Sequence, residues 1–278
     1  MSKVEFNREI INEIKKFIST NNNNQLKSTL KDIHYADIAE LIDNLNIEEA
    51  TYLIKLLDSD TTADALAEID DEKREKILKN LSAKEIAEEL TELDTDDAVD
   101  IISELPEERK ERVISQIEDN QHIEDIRELL TYNENTAGGL MAKELVKVNE
   151  NLSVLKCLNE MRSQAENVSR VHSIYVVDSK NRLKGRLSLK DLITANSKAK
   201  VKDIFIPNVD YVYVTDENEE VARKMSKYDL EAIPVINSKK ELLGRITIDD
   251  IVDVIKEEAE KDYQLAAGIS NDVEPDDN

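Results

Sequence analysis

The 278 residues leave room for about two domains of ordinary size. With 61 acidic against 37 basic residues the formal charge is -24, a field that repels phosphate backbones and argues against nucleic acid as a partner, while favouring basic proteins or metal cations. A 40% apolar content is enough to pack cores, and the single cysteine, Cys157, excludes a disulfide framework or a thiolate zinc cage. No apolar run approaches the ~20 residues of a membrane span, and the start MSKVEFNREI lacks the pattern of a signal peptide. A soluble chain in a reducing, cytosolic setting is therefore expected. The three histidines, His34, His122 and His172, are scattered and read as ordinary surface or core residues, not as a ligand cluster.

The first half predicts an array of short helices. A helix over residues 4–18 is interrupted by the NNNN run at 21–24. From there Leu45, Leu57, Ile69, Leu81, Leu93, Leu105 and Ile117 recur every twelve residues. Each of the first six is followed by a helix-starting residue: Asn46, Asp58, Asp70, Ser82, Asp94 and Pro106. One continuous helix would rotate those positions by about 120° per repeat and could not keep them on one side. Separate capped helices of about ten residues satisfy the pattern. Within them the spacing Ile38, Leu41, Ile42, Leu45 and again Ile86, Leu90, Leu93 marks one apolar face per helix. The expectation is an α-solenoid running to about Tyr132, followed by a flexible joint at TAGG, residues 136–139.

The second half reads as a duplicated α+β module. GRLSLKDLI at Gly185–Ile193 returns as GRITIDDIV at Gly244–Val252, 59 residues later. Upstream, SIYVVD answers AIPVIN, each followed by a polar turn. The first copy predicts a strand at Val146 and Val148, a helix over Leu152–Gln164, strands near 173–177 and 184–188, and a helix from about 189. The second predicts a strand from Val212, a helix at 218–228, strands at 232–236 and 243–247, and a helix from 249. Aligning Val148–Tyr175 with Val214–Pro234 makes the second copy's first helical region seven residues shorter. Two such units are expected to pack about a pseudo-twofold axis.

Carboxylates and hydroxyls are the residues with chemistry to offer. Between Asp94 and Glu108 stand seven acidic residues and no basic one, with Asp96, Asp100 and Glu104 on one helical stripe. Asp250, Asp253, Glu257 and Glu260 fall within about 80° of arc on the last helix. Such stripes are compatible either with a solvated face or with cation binding. DTDDAVDIISEL lacks the central glycine of an EF-hand loop. Each copy also carries S/T-x-x-D at a helix start, Ser188 with Asp191 and Thr247 with Asp250. These pairs can simply cap the helix, or the hydroxyl can meet a phosphate while the aspartate accepts a ribose hydroxyl.

Each copy of the duplication resembles a cystathionine-β-synthase (CBS) motif. In this order, HYADIAELIDNL, ENTAGGLMAKELV and the tandem CBS pair closely resemble the cytosolic part of the MgtE family of magnesium transporters, over residues 30–268. The resemblance implies a helical N domain over 1–132, a joint and first CBS domain over 133–200, a second CBS domain over 201–262, and a segment at 263–278 leading toward a membrane domain this chain lacks. It implies Mg²⁺ held between carboxylates of the helical domain, Asp64, Asp96 and Asp100, and of the CBS pair, Glu217, Glu219, Asp229, Asp250 and Asp253. Glu217 stands where the family has an aspartate. The resemblance further implies ATP or another adenine nucleotide at Ser188, Asp191, Thr247 and Asp250, and a homodimer through residues 145–262. Asp250 is claimed by both readings.

The leading expectation is a non-enzymatic Mg²⁺-sensing regulatory region that closes on Mg²⁺ to gate a pore in the protein's own transmembrane domain, on the cytoplasmic side of the membrane. Two alternatives stand beside it. One is a nucleotide-sensing CBS module serving another system. The other is a helical adaptor, since the helical domain also resembles part of a flagellar motor switch protein. No phosphate loop, dinucleotide fingerprint or nucleophile–base pair points to an enzyme.

Overall fold

The structure is a computed structural model that describes residues 6–166, 168 and 170–266; within its helices the side chains of Asp60, Asp253, Glu257 and Glu260, among others, lie outside the description. The chain divides into two compact units, Met1–Leu130 and Thr131–Asn278.

The first unit is a run of short helices: α1 (Arg8–Ser19), α2 (Asn23–Leu30), α3 (Tyr35–Asp43), α4 (Ile47–Leu56), α5 (Ser59–Glu68), α6 (Asp71–Leu78), α7 (Ala83–Glu92), α8 (Thr95–Ser103), α9 (Glu107–Ile114) and α10 (Asn120–Leu129). The twelve-residue period is one helix per repeat. All six residues expected to start helices occupy the N-cap position, Pro106 included, which sits one place before the first helical turn expected for it. At α4, Asn46 Oδ1 accepts from Glu49 N at 2.9 Å while Glu49 returns a carboxylate oxygen to Asn46 N at 3.0 Å. Ser82 and Glu85 repeat this reciprocal cap on α7, and those bonds hold the Glu85 carboxyl down at about 2. Five of the six apolar residues before these caps fold inward, Leu45, Ile69, Leu81, Leu93 and Leu105 being buried, while Leu57 is half-buried.

A helix this short turns back before its neighbour begins, so helices two repeats apart become neighbours. α3 packs on α5, α5 on α7 and α7 on α9, while α4 packs on α6 and α8 on α10. Basic side chains tie the repeats together at the carbonyl ends of helices, where the backbone is electron-rich and unsatisfied. Lys73 Nζ donates to the carbonyls of Asp43 and Leu45 at 2.7 Å each, and Arg109 to those of Leu78 and Leu81 at 3.1 and 2.8 Å. Arg74, only 7% exposed, donates to the Ala67 and Ile69 carbonyls at 2.8 and 2.9 Å and pairs with Asp71 and Glu104. His122 Nε2 lies 2.9 Å from Leu90 O, and His34 Nδ1 caps α3 at Ala36 N, so both serve helix ends. The NNNN run does separate two helices, but only in part: Asn21 adopts φ 51°, Asn22 caps α2, and Asn23 already belongs to it.

The second unit contains two mixed sheets. The first runs β1 (Val146–Asn149), β2 (Ile174–Val177), β3 (Leu183–Leu187) and β4 (Ile206–Pro207), with β1 parallel to β2 and the rest antiparallel. The second runs β5 (Val212–Tyr213), β6 (Ala232–Ile236) and β7 (Leu242–Thr247), again parallel then antiparallel. Helices α11 (Val154–Ala165) and α13 (Asn218–Tyr228) make the parallel crossovers; α12 (Leu189–Thr194) and α14 (Ile248–Ala266) follow the hairpins. Val148 pairs with Val176 and Val212 with Val235, spans of 28 and 23 residues, so the second crossover is five residues shorter, not seven. The equivalent of Val148 in the second copy is Val212; aligning it with Val214 overcounted the loop.

The expected twofold is written in the hairpin turns. Leu183 N donates to Lys240 O and Leu242 N to Asn181 O, each at 2.9 Å, and Arg182 bridges Glu241. Arg182 and Glu241 are 59 residues apart and so occupy equivalent positions, and the same 59-residue shift exchanges the two flanking bonds, Leu183 for Leu242 and Asn181 for Lys240. Asn181 and Lys240, equivalent positions, both take positive φ, 57° and 65°.

The TAGG segment is not a free joint. Ala137 N donates to Asp216 O, Gly138 N to Val214 O, and Ala142 exchanges both backbone bonds with Arg245 of β7 at 2.8 and 2.9 Å. Ala142 thereby does for β7 what β4 does for β3, where Ile206 pairs with Arg186. The chain before the first repeat supplies the edge of the second, and no local periodicity announces such a long-range pairing.

Candidate functional site

The carboxylates expected to hold metal are each placed by a helix end or a helix face. Asp64 is exposed on α5, and neighbouring protein mass together with the Asp94 carboxylate raises its pKa, while His34 pulls the other way. Asp96 is half-buried and Asp100 exposed on α8. The third member of their stripe, Glu104, is spent on Arg74, whose guanidinium also feels Asp100. Part of that acidic stripe is thus structural glue.

In the second unit Glu217 is the exposed N-cap of α13 and Glu219 lies in its first turn, where negative charge is favoured by the helix dipole. Asp229 closes the other end of α13 at φ 56°, so about 18 Å of helix separates it from Glu217 and those two cannot share one ion. Asp250 is in the first turn of α14, while the Asp253 side chain lies outside the described residues. Among the described residues no three His, Cys, Asp or Glu side chains gather as a metal-ligating group. What remains are carboxylates in ones and twos, most of them exposed, a donor set suited to Mg²⁺, which keeps most of its waters and takes one or two carboxylates.

The two S/T-x-x-D pairs differ in setting. Ser188 Oγ accepts from Asp191 N at 3.0 Å and donates to Asp191 Oδ2 at 2.6 Å, a half-buried cap on the short helix α12. Thr247, only 4% exposed, donates through both its backbone N–H and its Oγ1 to Asp250 Oδ2, each at 2.8 Å. Burial pushes the Asp250 carboxyl up to about 6 despite those two bonds, and Asp249 adds to the rise. Capping is therefore common to both pairs, and only the second is set in a desolvated surround.

Beside that second pair stands a group of side chains that the motif did not single out. Arg245, 5% exposed, donates from Nε to Glu144 O. Its charge acts on Asp250, on Tyr175 and on His172. Among the described residues the Tyr175 hydroxyl is buried without a hydrogen-bond partner, and burial pushes its pKa up to about 12. His172 Nδ1 is likewise buried and unpartnered, its pKa lowered by burial and by Arg245 and Arg170. Two orphaned polar atoms around one buried guanidinium fit a ligand with both anionic and hydrogen-bonding groups. A lone Arg and Tyr in strands give no sequence signal of this; only the arginine's place in the repeated G-R dipeptide could have pointed to it.

Comparison with known proteins agrees with this architecture. The family model for the MgtE intracellular N domain matches residues 33–135, and that for the CBS domain matches residues 137–198 and 201–257. The magnesium transporter MgtE of Thermus thermophilus is 44% identical over 140 residues, 50% of this chain and 31% of that protein. MgtE of Enterococcus faecalis is 40% identical over 146 residues, 52% of this chain and 32% of that protein. The chain thus matches about a third of the length of these curated relatives. A solved structure described as the cytosolic domain of the Mg²⁺ channel MgtE in complex with ATP superposes with a TM-score of 0.81 at 34% identity, covering 88% of this chain and 99% of that one. A second, the soluble part of a magnesium transporter, gives 0.80 at 29% identity over 90% and 98%. By its helical domain and CBS pair taken together, the chain belongs to the MgtE family.

Proposed function

We propose that this chain is the Mg²⁺-responsive regulatory region of a magnesium transporter, lying on the cytoplasmic side of the membrane. The observation that carries the reading is the match, across both units and 88% of the chain, to a structure described as the cytosolic domain of a Mg²⁺ channel. A helical adaptor would account for the first unit and leave the CBS pair without a role. The family's role in transport regulation likewise favours a non-enzymatic part.

In this reading Asp64, Asp96 and Asp100 of the helical unit and Glu217, Glu219, Asp229, Asp250 and Asp253 of the CBS unit are the Mg²⁺-binding carboxylates. Two carboxylates ~6 Å apart repel by roughly 0.7 kcal/mol in water and roughly 3 kcal/mol at an effective dielectric of 20. Bound Mg²⁺ removes that repulsion and adds about 2.7 kcal/mol per site at 100 times its dissociation constant. Several weak sites can therefore draw the two units together at millimolar Mg²⁺ and let them part when it falls, and the membrane domain of the full-length protein would close in response. An adenine nucleotide is the second ligand: the Tyr175 hydroxyl, His172 Nδ1 and Arg245 would receive it beside Thr247 and Asp250. Pairing of CBS units into a homodimer is favoured by apolar side chains left exposed on α12 and α14, Leu189 and Ile193 with Ile248, Val252 and Ile255.

The test is a Mg²⁺ titration at constant ionic strength, followed by solution scattering. The radius of gyration falls with Mg²⁺, and the fall shrinks in Asp96→Ala/Asp100→Ala and in Asp250→Ala/Asp253→Ala. Equal compaction by Na⁺ at matched ionic strength would reduce the effect to screening and overturn the sensor reading.

A further inference from the structure

One buried acid plays no part in the site above. Glu89 lies on the face of α7 that packs against α5, and is only 6% exposed. Its one described hydrogen bond comes from Thr62 Oγ1 of α5, 2.7 Å away, on a residue that is 0% exposed. Thr62 Oγ1 is also within 3.3 Å of Asp58 O, its own helix carbonyl one turn back. The hydroxyl has a single proton, so donating it to Glu89 forfeits that carbonyl, and a neutral Glu89 acid can reverse the arrangement by donating to Thr62.

The charges around Glu89 give a carboxylate no relief. From α7 itself Glu88 and Glu92 repel it. α5 presents the Thr62 hydroxyl, and of its charged residues Asp64 and Glu68 are exposed acids, while the Asp60 side chain lies outside the described residues. On α9, which also packs against α7, Arg109 is committed to the Leu78 and Leu81 carbonyls and Lys110 to Glu107; Glu107, Glu108, Glu111 and Arg112 are exposed, and from α10 His122 Nε2 lies on the Leu90 carbonyl, not on Glu89. Lys84 and Lys55 pair with Glu88 and Glu85 instead. A buried acid with one neutral partner and like-charged neighbours is stable in its protonated form and strained in its ionised one.

We propose that the Thr62–Glu89 pair is a proton-operated latch between α5 and α7: closed while Glu89 is a neutral acid, loosened when it becomes a carboxylate. Burial pushes the Glu89 pKa from 4.5 to about 7, which sets the window. The folded-state pKa is raised, so the stability it confers is fully present below the ordinary pKa and is lost as pH rises through 7. The latch rests on this one seam and is independent of the Mg²⁺ reading.

Amide protection factors for α5 and α7 in the full chain, measured by hydrogen exchange at pH 6 and pH 8, read it out. The expected result is a loss of about tenfold in the wild type that is absent in Glu89→Gln, which keeps the shape and an acceptor for Thr62 but cannot ionise. Equal losses in both proteins would overturn the proposal. Should Glu89→Gln fold poorly, the wild-type side chain can be titrated directly by carboxyl carbon NMR. A midpoint near 7 supports the latch, and one near 4.5 sinks it.

Discussion

The two halves of the duplication share a backbone and diverge in what they bury. Gly185 and Gly244 stand at equivalent places and each lets a neighbouring chain close in, β4 in the first repeat and Ala142 in the second. The next residues, Arg186 and Arg245, part company: Arg186 is exposed, whereas Arg245 is 5% exposed and bonded to Glu144 O. Two residues further on, Ser188 is a half-buried cap while Thr247 is buried with a desolvated Asp250. The edge strand explains the difference. In the second repeat it comes from chain ahead of β1, and that chain brings Ala142 and Glu144 onto the arginine and Met141 against Gly244. Duplication kept the frame, and the extra cover set one of two equal positions in a desolvated surround.

The largest expected effect comes from breaking that cover. A Cβ on Gly185 would stand 2.2 Å from the carbonyl oxygen of Ile206, and one on Gly244 2.5 Å from that of Ala142. Both obstacles are backbone, so Gly185→Ala is expected to cost about 3 kcal/mol and Gly244→Ala about 2 kcal/mol, since Met141 beside Gly244 can yield. Urea midpoints check both. A neutral Gly244→Ala would mean that Ala142 does not hold the edge of β7.

Next in size is the contrast between the two hydroxyls. Thr247→Val keeps the shape and leaves buried Asp250 with one donor fewer, an expected loss of about 2 kcal/mol at neutral pH. Ser188→Ala removes an ordinary cap and costs about 1 kcal/mol. Calorimetry with Mg²⁺-ATP separates function from stability: Thr247→Val is expected to weaken binding at least tenfold and Ser188→Ala to leave it within twofold. Equal losses would make the two repeats functionally alike.

Much of this frame was legible before the structure. The twelve-residue period located every cap from Asn46 to Pro106, because helix starts depend on local side-chain-to-backbone bonds. The 59-residue repeat placed α13 and β6 to the residue. What escaped was non-local. TAGG reads as a hinge because glycine marks freedom, yet Gly138 is there because Tyr132 and Val214 crowd within 3 Å of where a Cβ would sit. Helix α2 escaped because an asparagine run hid its cap. At the candidate site, S/T-x-x-D was visible as a motif, but burial decides between cap and ligand, and burial depends on chain brought from 101 residues away, as Glu144 is to Arg245.

The smallest expected effect is the most discriminating. Tyr175 has Pro234 as its equivalent in the second repeat, so its phenol has no counterpart there. A buried hydroxyl without a partner destabilises the ligand-free protein, and Tyr175→Phe removes it at constant shape, with an expected gain of about 1 kcal/mol at pH 7. The alkaline limb sharpens this. The folded-state pKa is raised to about 12 from 10, so the wild type retains its full stability below pH 10 and loses it as pH climbs through 12, while Tyr175→Phe escapes that loss. If the hydroxyl is kept for a ligand, the same substitution weakens Mg²⁺-ATP binding five- to tenfold while the protein grows more stable. Opposite signs in one variant separate a binding role from a packing role, because a side chain kept for packing would lose stability and leave affinity unchanged. A more stable Tyr175→Phe with unaltered affinity would assign the orphaned hydroxyl to neither, and leave His172 and Arg245 to carry the difference between the repeats.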